Sequence, residues 1–262
     1  MGEAGQTAIL IRATTDRPTV LTSPEAAYPE NVSSVSPAYH FSRAWTALLR
    51  TVAELPGSDF ERASGCAGWR VRDLVCHLII DAQDVLITLV TPSEGAPTHD
   101  AATYWTVTDF PPTGEDPLDA LVPRLAAAYE DPQLLKFHLD DVGAAADRAA
   151  RFADPERRVE TQNMVLTVGD FLNAYVLEWT LHHFDLIAHL PDASTPQTDC
   201  VARSRMMFED VIGSTIPTEL SDVEALLIGT GRRPPDATQR SVLGDLGERL
   251  PFILSSAPTA DA

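Results

Sequence analysis

Cysteine is scarce, and its spacing carries no pattern. Cys66, Cys76 and Cys200 make three, with no C-x-x-C pair among them. An odd count without that spacing argues against a disulfide framework or a cysteine-rich zinc site, and a reducing cytoplasm is the expected compartment. Positive charge is also short, with 19 Lys and Arg against 38 Asp and Glu and a formal net charge of −19. Nucleic acid and anionic membrane surfaces attract a basic face, so neither is expected as a partner, and the acidity reads as a solubility device. No apolar run reaches the roughly 18 residues that suggest a membrane span. The AILI segment near the N-terminus lacks the h-region and cleavage site of a signal peptide. What is present is an ordinary 44% hydrophobic content in a chain of 262 residues, enough for a sizeable core.

Residues 1–36 are rich in Thr, Ser, Pro, Glu and Ala without apolar periodicity, and they read as a flexible N-terminal arm. The pattern then changes. Phe41, Trp45, Leu48, Leu49, Val52 and Leu55 recur at helical spacing and predict an amphipathic helix stopped by Pro56-Gly57. A second helix is expected from about Arg70 to Leu89, a third over 117–129 and a fourth over 132–152. Thr167 or Asp170 can cap a long apolar helix through FLNAYVLEWTLHHFDLIAHL. Shorter helices are expected over 200–215, 221–228 and 235–249. No run of alternating residues is long enough to predict a sheet. The fold expected is all-α: a bundle over 37–192 with a helical C-terminal extension over 193–262. The polar stretch 93–114 is long for a loop and is expected to roof a site.

Two segments carry candidate chemistry. DLVCHL offers His77, and EWTLHHFDL offers Glu178 and His182. Residues at i and i+4 share a helix face, so Glu178 and His182 can serve one metal ion, with His77 brought alongside by another helix. Two imidazoles and one carboxylate leave coordination positions open, as catalytic zinc sites do. The residues alone leave two readings open. His77 and His182 are either ligands or satisfied core histidines, and Glu178 is metal-bound, protonated or paired with an arginine. His183 is placed at the mouth of the site or in proton transfer, since only His182 shares a face with Glu178. Asp185 either orients a ligand histidine or forms a salt bridge with Arg70 or Arg72. Asp73 sits in a first helical turn, where negative charge is favoured. Trp69, Tyr175 and Trp179 are expected in the core or as pocket wall, and Cys76 as a buried apolar residue.

SGCAGWRVRDLVCHL and VGDFLNAYVLEWTLHHFDLIAHL together resemble the two signature segments of the mycothiol-dependent maleylpyruvate isomerase N-terminal family, part of the wider DinB-like group of four-helix bundles. The pattern is a Trp before a helix with Asp and then His, followed later by Glu-x-x-x-His-x-x-Asp. It is met here by Trp69, Asp73 and His77, then Glu178, His182 and Asp185. The resemblance implies a DinB-like bundle holding a divalent metal, usually zinc, on His77, Glu178 and His182. It also implies mycothiol as a low-molecular-weight thiol cofactor. Arg70, Arg72 and the 93–114 loop are the nearest candidates to recognise that cofactor. The chain departs from the isomerase, which carries a mixed α/β C-terminal domain with an arginine near its substrate: here the C-terminal part reads as short helices, and Arg232 and Arg233 either act similarly or are exposed surface arginines. The expected function is a metal-dependent thiol S-transferase or isomerase acting on a small electrophile. A thiol-independent biosynthetic enzyme in the same pocket, and a ligand-binding bundle with a vestigial site, are the alternatives.

Overall fold

The computed structural model describes residues 36–108 and 117–256, which fall in one compact unit. The arm expected over 1–36 and the end of the 93–114 loop lie outside the described residues, apart from Ser36. Nine α-helices are present among the described residues. They are α1 (Pro37–Glu54), α2 (Val71–Leu89), α3 (Pro117–Ala127), α4 (Pro132–Phe152), α5 (Val168–Ile187), α6 (Thr198–Ile212), α7 (Asp222–Gly229), α8 (Ala237–Leu243) and α9 (Asp245–Arg249). None is long and apolar enough to cross a membrane.

The bundle is formed by α1, α2, α4 and α5, with α2 on α4 and α1 on both α4 and α5. The apolar stripe read from α1 is the face it buries: Phe41, Trp45, Leu48 and Val52 are all essentially inaccessible. α5 is buried on nearly every side because α6 covers the face that the bundle leaves open. At the bundle centre the Trp45 and Trp179 rings lie 4.0 Å apart, with Phe41 4.3 Å from Trp179. Gly143 of α4 makes room for this stack, since a Cβ there would meet Trp45 at 2.6 Å. Thr167 caps α5, its hydroxyl accepting from the Asp170 amide at 3.0 Å.

The expected helices over 200–215 and 221–228 correspond to α6 and α7. The stretch 235–249 is two helices rather than one, because Gly244 at φ 52° breaks the helical path between α8 and α9. Two short antiparallel ladders correct the expectation of no sheet. β2 (Arg158–Thr161) pairs with β3 (Met164–Thr167), and β1 (Trp105–Thr108) pairs with β4 (Ile253–Ser256). Gln162 and Asn163 both have positive φ, the conformation of a two-residue turn whose twist matches its strands. At four residues each, these strands sit at the lower limit of length at which alternation signals a strand.

Candidate metal centre

α2 and α5 bring the two motif segments face to face. His77 Nε2 lies 3.2 Å from His182 Nε2, and His182 Nε2 lies 3.0 Å from Glu178 Oε1. The imidazole planes are nearly perpendicular, at 85°. A fourth group joins them: Asp81 Oδ2 is 3.4 Å from His77 Nε2. The ligating atoms of His77, Asp81, Glu178 and His182 all lie within 4.8 Å of one another. The sequence reading passed over Asp81, although His77 and Asp81 obey the same i, i+4 rule that singled out Glu178 and His182.

The far side of His182 is held by charge. Asp185 Oδ2 lies 3.3 Å from His182 Nδ1, which leaves Nε2 facing the cluster. Asp185 is paired in turn with Arg232, which donates from Nε at 2.9 Å and from Nη2 at 2.7 Å in a bidentate fork. This corrects two expectations. The partner of Asp185 is neither Arg70 nor Arg72, and Arg232 is not a free surface arginine. The loop before α2 closes over the same point. The Gly65 amide donates to the Asp185 carbonyl at 2.7 Å, and a Cβ at Gly65 would meet Asp185 Oδ1 at 2.7 Å, so only glycine fits. That close approach also sets Cys66 beside His182 and Asp185.

Electrostatics follow from this packing. Burial pushes the His77 imidazolium down to about 3, and the neighbouring His182 adds to the effect. Burial works against charge on His182 too, but Glu178 and Asp185 overcome it and raise its pKa well above the ordinary histidine value. Glu178 is held below its usual value because His182 outweighs its burial. Asp81 is pushed well up by burial, and the charge of Glu178 adds to this.

The residues present fit a divalent ion. Donors about 2.1 Å from a common ion sit roughly 3.0–3.4 Å apart, depending on coordination number, and the contacts at 3.0, 3.2 and 3.4 Å match that spacing. Two imidazole nitrogens and carboxylate oxygens are donors that zinc and other first-row ions accept. Asp81 Oδ2 is buried and has no hydrogen-bond partner among the described residues, which a cation would supply. Partial exposure of the His77, Glu178 and His182 side chains, at 24, 25 and 14%, leaves the cluster reachable by a small molecule.

The other expected site residues separate. His183 does not reach the mouth. It is buried against α1, with Nε2 at 3.0 Å from Thr51 Oγ1 and 2.9 Å from the Ser194 carbonyl, so its role is to tie α5 to α1. Trp179 belongs to the core stack and forms no pocket wall. Tyr175 is closer to the expectation. Its hydroxyl donates to Asp84 at 2.9 Å, and its ring packs at a tilt against Phe171 and Tyr104. Tyr104 comes from the 93–108 part of the polar loop, where burial and then the charge of Glu178 raise its phenol. Trp69 sets its ring edgewise on His77 at 5.3 Å. Arg70 and Arg72 both turn to Glu61, and Arg72 also donates to the carbonyls of Ala126 and Tyr129 at 2.9 and 2.7 Å. Asp73 accepts from the Arg70 amide at 2.8 Å and closes the first turn of α2. Cys76 is buried, and burial lifts its thiol to about 11.

The family model described as mycothiol maleylpyruvate isomerase N-terminal domain matches residues 41–187, more than half of the chain. No curated protein and no solved structure gives a significant match.

Proposed function

Since the chain belongs to the mycothiol maleylpyruvate isomerase N-terminal domain family, we propose that it is a divalent-cation-dependent enzyme. In this reading it uses a low-molecular-weight thiol, with mycothiol the first choice, to isomerise or S-conjugate a small electrophile. The observation that carries the reading is the convergence of His77, Glu178 and His182 from two helices onto one point. A cation held there would supply Lewis acidity and favour the thiolate form of a thiol, whose free pKa is about 8.5.

The chain's own residues would do the rest. Asp185, locked by Arg232, keeps a proton on His182 Nδ1 and aims Nε2 at the cluster. His77 stays neutral because burial opposes its protonation, so its Nε2 lone pair is available. Trp69 and Tyr104 flank the cluster as apolar walls that limit water. For an isomerase, thiol sulfur adds to a conjugated double bond, and the π electrons move onto the conjugated carbonyl. Rotation about the new single bond follows. Electron return then breaks the carbon–sulfur bond and releases the thiol unchanged. For a transferase, the carbon–sulfur bond is kept and a proton or leaving group completes the balance.

The test is binding before turnover. Metal-loaded protein is titrated with mycothiol by calorimetry, then assayed for thiol consumption and cis–trans conversion on a panel of conjugated carbonyl electrophiles. The expected result is saturable thiol binding that a chelator abolishes. Metal-loaded protein that binds no mycothiol, yet converts a substrate without thiol, would overturn this reading in favour of a thiol-independent biosynthetic enzyme.

A further inference from the structure

The cluster holds one more donor than the three that carry the proposed function. His77 and Asp81 stand one turn apart on α2, and Glu178 and His182 one turn apart on α5, so each helix presents one imidazole and one carboxylate. The position of each remaining carboxylate around the imidazoles separates two roles. Asp185 approaches His182 at Nδ1, the nitrogen turned away from the cluster, at 3.3 Å. A carboxylate that orients a ligand imidazole belongs on that far nitrogen. Asp81 instead approaches His77 at Nε2, at 3.4 Å, and this is the nitrogen that faces His182 Nε2. A carboxylate there shares the ion's side of the ring. The hydroxyl of Tyr175 goes to Asp84 at 2.9 Å. Asp81 Oδ2 is left buried with no hydrogen-bond partner among the described residues. Buried polar atoms in folded proteins are nearly always satisfied.

We propose that Asp81 is a fourth cation ligand, so that a divalent ion and its two-imidazole, two-carboxylate ligand set together carry no net charge. This rests on reading the cluster as a cation site and deepens that reading. Four protein donors already complete a tetrahedral ion. A position for thiol or substrate therefore requires five or six coordination, which Mn2+, Fe2+ and Co2+ accept readily and zinc accepts by expansion. The site is thereby distinguished from a three-ligand zinc site, whose open position exists at four coordination.

The test compares wild type, Asp81→Asn and Asp185→Asn, each stripped of metal and checked for helical content. Each is titrated with Co2+ in competition with a chromophoric chelator, and the visible spectrum is recorded. Loss of an orienting partner costs roughly 10–100-fold in affinity. Asp81→Asn is expected to exceed that range and to move the cobalt bands toward a lower coordination number. Asp185→Asn is expected to stay within it and keep the wild-type band shape. Asp81→Ala, read in the same way, serves if the Asn variant does not fold. An Asp81 variant with an unchanged cobalt spectrum, whatever its affinity, overturns the proposal alone. Wild type that binds no Co2+ overturns it together with the proposed function.

Discussion

Replacing Arg232 with Ala isolates the contact that fixes His182. The Asp185 side chain is only 3% exposed and Arg232 is 24% exposed, so the pair is largely shielded from solvent. Removing one partner of a buried pair costs about 3–5 kcal/mol, because the remaining charge is stranded. The partial exposure of Arg232, and the His182 Nδ1 contact that survives, bring the expected loss to about 2–4 kcal/mol. At roughly 2–4 °C per kcal/mol for a chain of this size, the melting temperature should fall by about 10 °C. The pair also predicts a pH window. Burial works to raise the Asp185 carboxyl, but Arg232 overcomes it and holds the group below the ordinary carboxylate range. A depressed carboxylate contributes stability that is fully present above its unfolded value of about 3.9 and is lost as pH falls through the folded value. The gap between wild type and Arg232→Ala should therefore be full at pH 7, begin to narrow below about pH 4, and close only as pH falls well below that, through the depressed folded value. The assay is urea unfolding and calorimetry of chelated protein, with Asp185→Asn and the double variant completing a cycle. A melting temperature within about 2 °C of wild type at pH 7, or a coupling energy near zero, would refute the argument.

Three further outcomes follow from other parts of the molecule. His182→Ala should lose most Co2+ or Zn2+ binding by equilibrium dialysis while chelated samples keep the wild-type helical signal, because the bundle core and not an ion supplies most of the stability; retained metal stoichiometry would count against the cluster. Gly143→Ala should lower stability in urea even though it improves helix propensity by about 1 kcal/mol. Its Cβ would sit 2.6 Å from the Trp45 ring, and overpacking costs about 1–3 kcal/mol, so a stabilised variant would contradict the packing. Cys200 and Cys76 should resist alkylation at pH 8 in the native protein, since burial raises their thiols to about 12 and about 11 and leaves them protonated. Mass spectrometry should find Cys66 as the one labelled site, and rapid labelling of Cys200 would argue against that burial.

The helices were legible because their signal is local. An apolar stripe at three- and four-residue spacing names the buried face of α1 without reference to any partner, and the structure buries that face. The two-residue turn between β2 and β3 was less legible, since its identity lies in two positive φ angles and not in a long pattern. Asp81 was legible and passed over: it stands one turn from His77, as His182 does from Glu178, and the flanking apolar residues hid it. Membership of the family was also readable, because the motif segments lie within the matched stretch 41–187.

Spacing along the chain determined that Glu178 and His182 share a face, and that His77 and Asp81 do. Only the tertiary structure decided that these two faces meet. It also decided that His183, a neighbour of His182 in sequence, turns 3.0 Å from Thr51 on α1, and that Asp185 takes its arginine from position 232 and not from 70 or 72. Helical periodicity acts over one turn of backbone, whereas a charge pair forms wherever folding brings two groups within reach and excludes water from between them. Arg232 stands 47 residues from Asp185, beyond any local pattern, and it arrives because α6 packs on α5 and α7 packs on α6, which brings the following chain back to α5.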